Sequence, residues 1–144
     1  MNLFGMLEMS GSALGAERQR AEVVASNMAN AQTTRTPSGG PYRRQLVVFQ
    51  AQHTPRFSLA LAGLHHESSS AVRVAAVVPD ARPPVLRFEP GHPDADVQGY
   101  VSYPQVDPVE EMTDLLGAVR AYELNASAVQ AAKSMIQQSM DLLR

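Results

Sequence analysis

Apolar residues recur along the last third of this chain in alternating steps of three and four. From Met112 the positions are Met112, Leu115, Val119, Tyr122, Ala126, Val129, Lys133, Ile136, Met140 and Leu143, and only Lys133 is polar. A sustained seven-residue repeat puts these side chains on one narrow stripe of an α-helix, the pattern of a coiled-coil seam. A helix of that span is about 48 Å long at 1.5 Å per residue. Pro108 suits its first turn, where a missing N–H has no helical partner to lose. Glu110, Glu111 and Asp114 lie near the positive end of the helix dipole. Asn2 to Asn30 predicts a second helix, with Leu7, Leu14, Ala21 and Met28 recurring every seven residues. Gly11 and Gly15 weaken it by about 1 kcal/mol each relative to Ala. Each stripe needs a partner, and the two ends of the chain offer one another.

Between the helices the period changes. Ala31 to Pro41 is rich in Thr, Ser, Gly and Pro and ends the first helix. Tyr42 to Gln50 carries the β-formers Leu46, Val47, Val48 and Phe49 behind Arg43 and Arg44. Val72, Val74, Ala76 and Val78 alternate as a second strand, with Arg73 on the opposite face. Val85 to Phe88 and Gly99 to Tyr103 predict two more short strands, separated by the turn block at Pro90-Gly91-His92-Pro93. Ala51 to Ser70 alternates only briefly before turning polar, and reads as a flexible loop. The expected class is α+β: long N- and C-terminal helices paired like a coiled coil, with a small antiparallel β-module between them. In residues, 1–36 with 108–144 form the helical terminal domain and 37–107 the β-module.

Composition narrows the functions. Aromatic residues make up 6% of the 144, with no Trp, which suits extended apolar stripes better than a large globular core. A net charge of −2 gives no reason to expect nucleic acid as a partner. With no cysteine there is no thiolate chemistry and no disulfide. No run of apolar residues is long enough to span a membrane. The first basic residue is Arg18, and Glu8 interrupts the apolar start, so no cleaved signal peptide is expected.

Catalytic motifs are equally scarce. His92, Asp94 and Asp96 place an imidazole and two carboxylates within five residues, and a metal-dependent enzyme would centre there. Against this, Asp between turn prolines commonly caps turns through its own oxygens. Neighbouring His65 and His66 point to opposite sides of any strand and make a poor ligand pair. No nucleophile elbow or phosphate-binding loop is present. Arg43 and Arg44 could hold an anion, but adjacent arginines at a strand start are more often solvated. An enzyme therefore has no positive support, and no catalytic, cofactor or metal residue is assigned.

An interaction protein remains. Ala25-Ser26-Asn27-Met28-Ala29-Asn30-Ala31, Thr33-Thr34-Arg35-Thr36-Pro37 and Gly39-Gly40-Pro41-Tyr42-Arg43-Arg44 resemble the flagellar rod and hook family of axial proteins. So do Pro90-Gly91-His92-Pro93-Asp94-Ala95-Asp96, Pro104-Gln105-Val106-Asp107-Pro108 and Arg120-Ala121-Tyr122-Glu123-Leu124-Asn125. The resemblance covers both ends and the second half of the middle, leaving about residues 51–82 outside it. It implies a structural subunit of the basal-body rod that transmits torque from motor to hook. It also implies type III export without a cleaved signal, a place in the rod across the periplasm, and helical self-assembly through the terminal helices. The partners implied are other rod proteins and the base of the export apparatus. The two stripes would then be the assembly interface. Another type III-secreted coiled-coil protein is the alternative, although a needle subunit would lack the β-module.

Overall fold

The computed structural model describes residues 3–53 and 70–142. Helix α1 spans Leu3–Ala29, strand β1 Gln45–His53, β2 Ser70–Pro79, β3 Val85–Phe88 and β4 Tyr100–Tyr103, and helix α2 runs Pro108–Asp141. Two long terminal helices thus flank a small β region, the α+β class expected. The strands form two separate two-stranded sheets, β1 with β2 and β3 with β4. Among the described residues no helix is long and apolar enough to cross a membrane.

The predicted elements shift mainly at their edges. At the edges of the expected loop at 51–70, Ala51–His53 belong instead to β1 and Ser70 to β2. Residues 54–69, including Phe57 to Leu64 and the His65-His66 pair, lie outside the described residues. Helix α2 starts at Pro108 as expected, and Asp107 caps it. Its Oδ1 accepts from the Val109 N–H at 2.9 Å and its carbonyl from the Glu111 N–H at 3.0 Å. Helix α1 stops where Asn30 turns its Nδ2 back to the Ser26 carbonyl at 2.9 Å. A tight loop follows, with Gly39 and Gly40 at φ +86° and +75°.

The chain divides into two compact units. One comprises Met1–Gln19, Phe49–Ala75 and Ala118–Arg144, the other Arg20–Val48 and Ala76–Gly117. In the first, the buried apolar residues among those described are Ala16, Ala118 and Ala132, and the Ser12 hydroxyl accepts the Val72 N–H at 3.0 Å. In the second they are Val24, Val101 and Pro104. Alanine and valine bury little area each, so apolar transfer accounts for less here than in a core of Leu and Phe.

The β3–β4 hairpin belongs to the second unit. Val85 pairs with Tyr103, Leu86 with Ser102, Arg87 with Val101 and Phe88 with Tyr100, in antiparallel register. The rings of Phe88 and Tyr100 meet edge to face at 5.4 Å between centroids. Gly99 sits just before β4 at φ +84°, and a Cβ there would lie 2.9 Å from Phe88 Cε2 and 3.2 Å from Pro90 Cβ. Gly40 shares the left-handed backbone but has open space around it. Gly40→Ala should therefore cost only backbone strain, about 1 kcal/mol. Gly99→Ala adds a steric clash, and its thermal midpoint should fall further, by about 2–4 °C. Thermal denaturation of the two variants side by side gives the ranking, and equal midpoints would show that Phe88 moves aside freely.

Candidate functional site

In the second unit the C-terminal part of α1 and the first turns of α2 run antiparallel, with Arg20 opposite Asp114 and Asn27 opposite Glu111. The start of β1 completes a polar hub. Asn27 is 1% exposed and uses its whole amide. Its Oδ1 accepts from the Gln45 N–H at 2.8 Å and the Tyr42 hydroxyl at 3.0 Å. Its Nδ2 donates to the Gln45 carbonyl at 2.9 Å and to Glu111 Oε2 at 3.0 Å. Asn27 therefore acts toward Gln45 as an adjoining strand would, exchanging both backbone hydrogen bonds.

Glu111 is 0% exposed, and its other oxygen takes a hydrogen bond from Arg44 Nε. Arg44 is 8% exposed and spreads its remaining nitrogens to Glu110 and Asp114, each at 3.4 Å. Asp114 also meets Arg20 at 3.3 Å. Burial alone would lower the Arg44 pKa. The hydrogen bond to Glu111 and the charges of Glu111, Glu110 and Asp114 outweigh it and hold the pKa above the ordinary arginine value. The expectation of two solvated arginines fails for Arg44. Arg43 is exposed, whereas Arg44 turns inward because three carboxylates from the start of α2 meet it there.

The turn around His92 is held by its own atoms and by Thr34 and Arg35 of the loop after α1. Asp94 accepts from the Thr34 hydroxyl at 2.8 Å and pairs with Arg35 at 3.6 Å. His92 Nδ1 accepts the Asp94 N–H at 3.1 Å. Asp96 Oδ1 accepts the N–H groups of Gln98 and Tyr100 at 2.8 and 2.9 Å, closing the turn into β4. Among the described residues no group of three His, Asp or Glu is placed to hold a metal. A cavity of about 140 Å³ is lined by residues of the 39–44 loop together with Asp80, Arg82, Pro84 and Gln105. The Asp80 carboxyl is held below its usual range by the Arg82 backbone N–H and then by its guanidinium.

The apolar stripes are placed unevenly. Leu7, Leu14, Ala21 and Met28 are all half-buried along α1. On α2, Leu115, Ala126, Val129 and Ile136 are half-buried, while Met112, Val119, Tyr122 and Met140 are exposed, and Leu143 is outside the described residues. The line the chain itself buries on α2 is a different one, through Glu111, Ala118 and Ala132, with half-buried Asn125 between them. It too has a seven-residue spacing, but its small and polar members score low on any hydrophobic pattern. Opposite it stand Val109, Met112, Leu116 and Val119, all exposed and again spaced three, four and three.

Because a buried carboxylate without its cation costs about 3–5 kcal/mol, Arg44→Ala should lower unfolding stability by that order. Arg43→Ala, one residue away and exposed, should stay within about 0.5 kcal/mol of the parent. Urea denaturation of both proteins tests the assignment, and similar losses from the two would contradict it.

Comparison with known proteins accords with this arrangement. Residues 7–35, covering most of α1, match the family described as Flagella basal body rod protein. Residues 97–142, from β4 through α2, match the family described as Flagellar basal body rod FlgEFG protein C-terminal. Whole proteins match end to end. The flagellar basal-body rod protein FlgC of Borreliella burgdorferi is 38% identical, with 100% of this chain and 99% of the relative aligned. That of Yersinia enterocolitica is 39% identical over 99% and 98% of the two chains. That of Bacillus subtilis is 38% identical over 99% of each. These alignments run through residues 51–82, which the motif blocks alone leave out. Identity at this level along the full length, joined to matches at both terminal helices, shows that the chain belongs to the flagellar basal-body rod protein FlgC family.

Proposed function

We propose that this protein is a structural, non-enzymatic subunit of the flagellar basal-body rod, assembling through its terminal helices and passing torque from motor to hook. The observation that carries the assembly surface is the row of large apolar side chains left uncovered on α2: Val109, Met112, Leu116 and Val119. A helix with an exposed apolar line, besides the line of small and polar residues its own chain buries, is suited to contacting its own chain and a neighbour at once. Burying such a side chain against a neighbour contributes about 1.5–3 kcal/mol, so four of them are enough to matter in a repeating contact. The neighbours in this reading are further copies of the chain, other rod proteins and the base of the export apparatus. The subunit is exported without a cleaved signal and sits in the rod across the periplasm. Residues 1–36 with 108–144 act as the assembling helical domain, and 37–107 as a β-module carried on it.

The half-buried and exposed stripe positions, from Leu7 and Leu14 on α1 to Met112, Tyr122 and Met140 on α2, are the contacts through which the subunits meet. The His92, Asp94 and Asp96 turn serves structure in this reading, since Asp94 and Asp96 each accept hydrogen bonds from neighbouring segments of the same unit.

Met112→Asp tests the surface. Met112 is 55% exposed, so the soluble monomer should keep its stability within about 0.5 kcal/mol. Incorporation into purified basal bodies and swimming should both be lost, with secretion retained. Ser139→Asp, also exposed on α2 and about 120–160° around the helix from the row, should assemble normally. If Met112→Asp enters the basal body as well as the parent does, the row is not the assembling face.

A further inference from the structure

We infer that Asn27, Arg44 and Glu111 form a three-way lock, through which α1, the start of β1 and the start of α2 dock only together, and which fixes the face that α2 turns outward. Each member comes from a different segment, and each pair is bonded directly or through the third. Without α2, the Asn27 amide loses its carboxylate acceptor and the Arg44 guanidinium loses Glu111, Glu110 and Asp114. Without α1, Glu111 Oε2 and the Gln45 backbone lose Asn27. Without the 42–45 segment that leads into β1, Glu111 loses its cation and Asn27 loses three of its four partners. Any two segments must therefore leave a polar group buried and unpaired or let water in and give up the burial. Complete, such a network adds modest net stability, because desolvation offsets most of the attraction. Its larger effect is to penalise partial assembly.

The lock also sets helix rotation. With Glu111 turned inward, at about 100° per residue, Val109, Met112, Leu116 and Val119 fall about 80–160° around the helix from it. Ala118, about 20° from Glu111, continues the buried line. Apolar patterning alone would not make this choice, since Met112 and Leu116 are better core residues than Glu111. A buried carboxylate that accepts from Arg44 and Asn27 has no equivalent place on the outer side. The lock is a property of the single chain and does not rest on the rod reading. It can be tested in the monomer.

Native-state hydrogen exchange on the full-length monomer reads three amides that report the three segments. They are Gln45, bonded to Asn27; Asp80, whose N–H donates to the Arg44 carbonyl at 2.7 Å; and Glu111, bonded to Asp107. In the parent protein the three should share one opening event, with the same dependence on low urea. In Glu111→Gln all three should exchange faster by a common factor of about 10- to 100-fold. Arg43→Gln, the exposed neighbour, should change none of them. Acceleration at position 111 alone, with Gln45 and Asp80 unchanged, would overturn the inference. If Glu111→Gln does not fold, the parent decides alone: separate urea dependences for the three amides would show that the segments open independently.

Discussion

A carboxylate withdrawn from water must be answered by donors the protein supplies, and the second unit is arranged around meeting that demand for Glu111. Arg44 and Asn27 come from segments some seventy and eighty residues away, so satisfying one side chain defines how α1, β1 and α2 meet. The surrounding apolar burial is slight. Val24, Val101 and Pro104 are the buried apolar residues of that unit, and none brings the area of a Leu or Phe. Hydrophobic contact draws the segments together, while the polar hub selects one arrangement among those that apolar contact would tolerate.

Most of the fold was legible in the sequence because the periods were strong. Both helices, the four described strands and the start of α2 at Pro108 follow from spacing and turn residues, since the backbone answers to local chemistry at those points. The hub was not legible. Arg43 and Arg44 are identical residues at adjacent positions, and nothing local says which one meets carboxylates that lie more than sixty residues further along. Glu111, Ala118 and Ala132 do keep a seven-residue spacing, but small and charged residues carry no hydrophobic signal. The apolar pattern instead ran one position later, through Met112 and Val119, which the folded chain leaves exposed. The motif block containing Asn27 pointed to the family without revealing that its amide imitates a strand.

Leaving Met112, Leu116 and their neighbours uncovered has a thermodynamic side. Among the described residues the chain buries alanine and leaves methionine and leucine exposed, so the hydrophobic stabilisation of those side chains is held back from its own folding. That area remains available to association, so monomer stability and assembly strength are set by different residues. Evolution can tune one with little effect on the other.

The cap and the buried glutamate lie four residues apart, and together they give α2 a fixed phase at its origin. Every later side chain inherits its direction from that start, as teeth on a shaft inherit theirs from a keyway. One residue inserted between Glu111 and Ala118 would turn all that follows by about 100°, carrying Ala118 and Ala132 off their buried line. Seven inserted residues would turn it by only about 20° and lengthen the helix by about 10 Å. Changes in the length of this helix should therefore be tolerated in sevens and rejected in ones and twos, so that its reach can vary while its faces cannot.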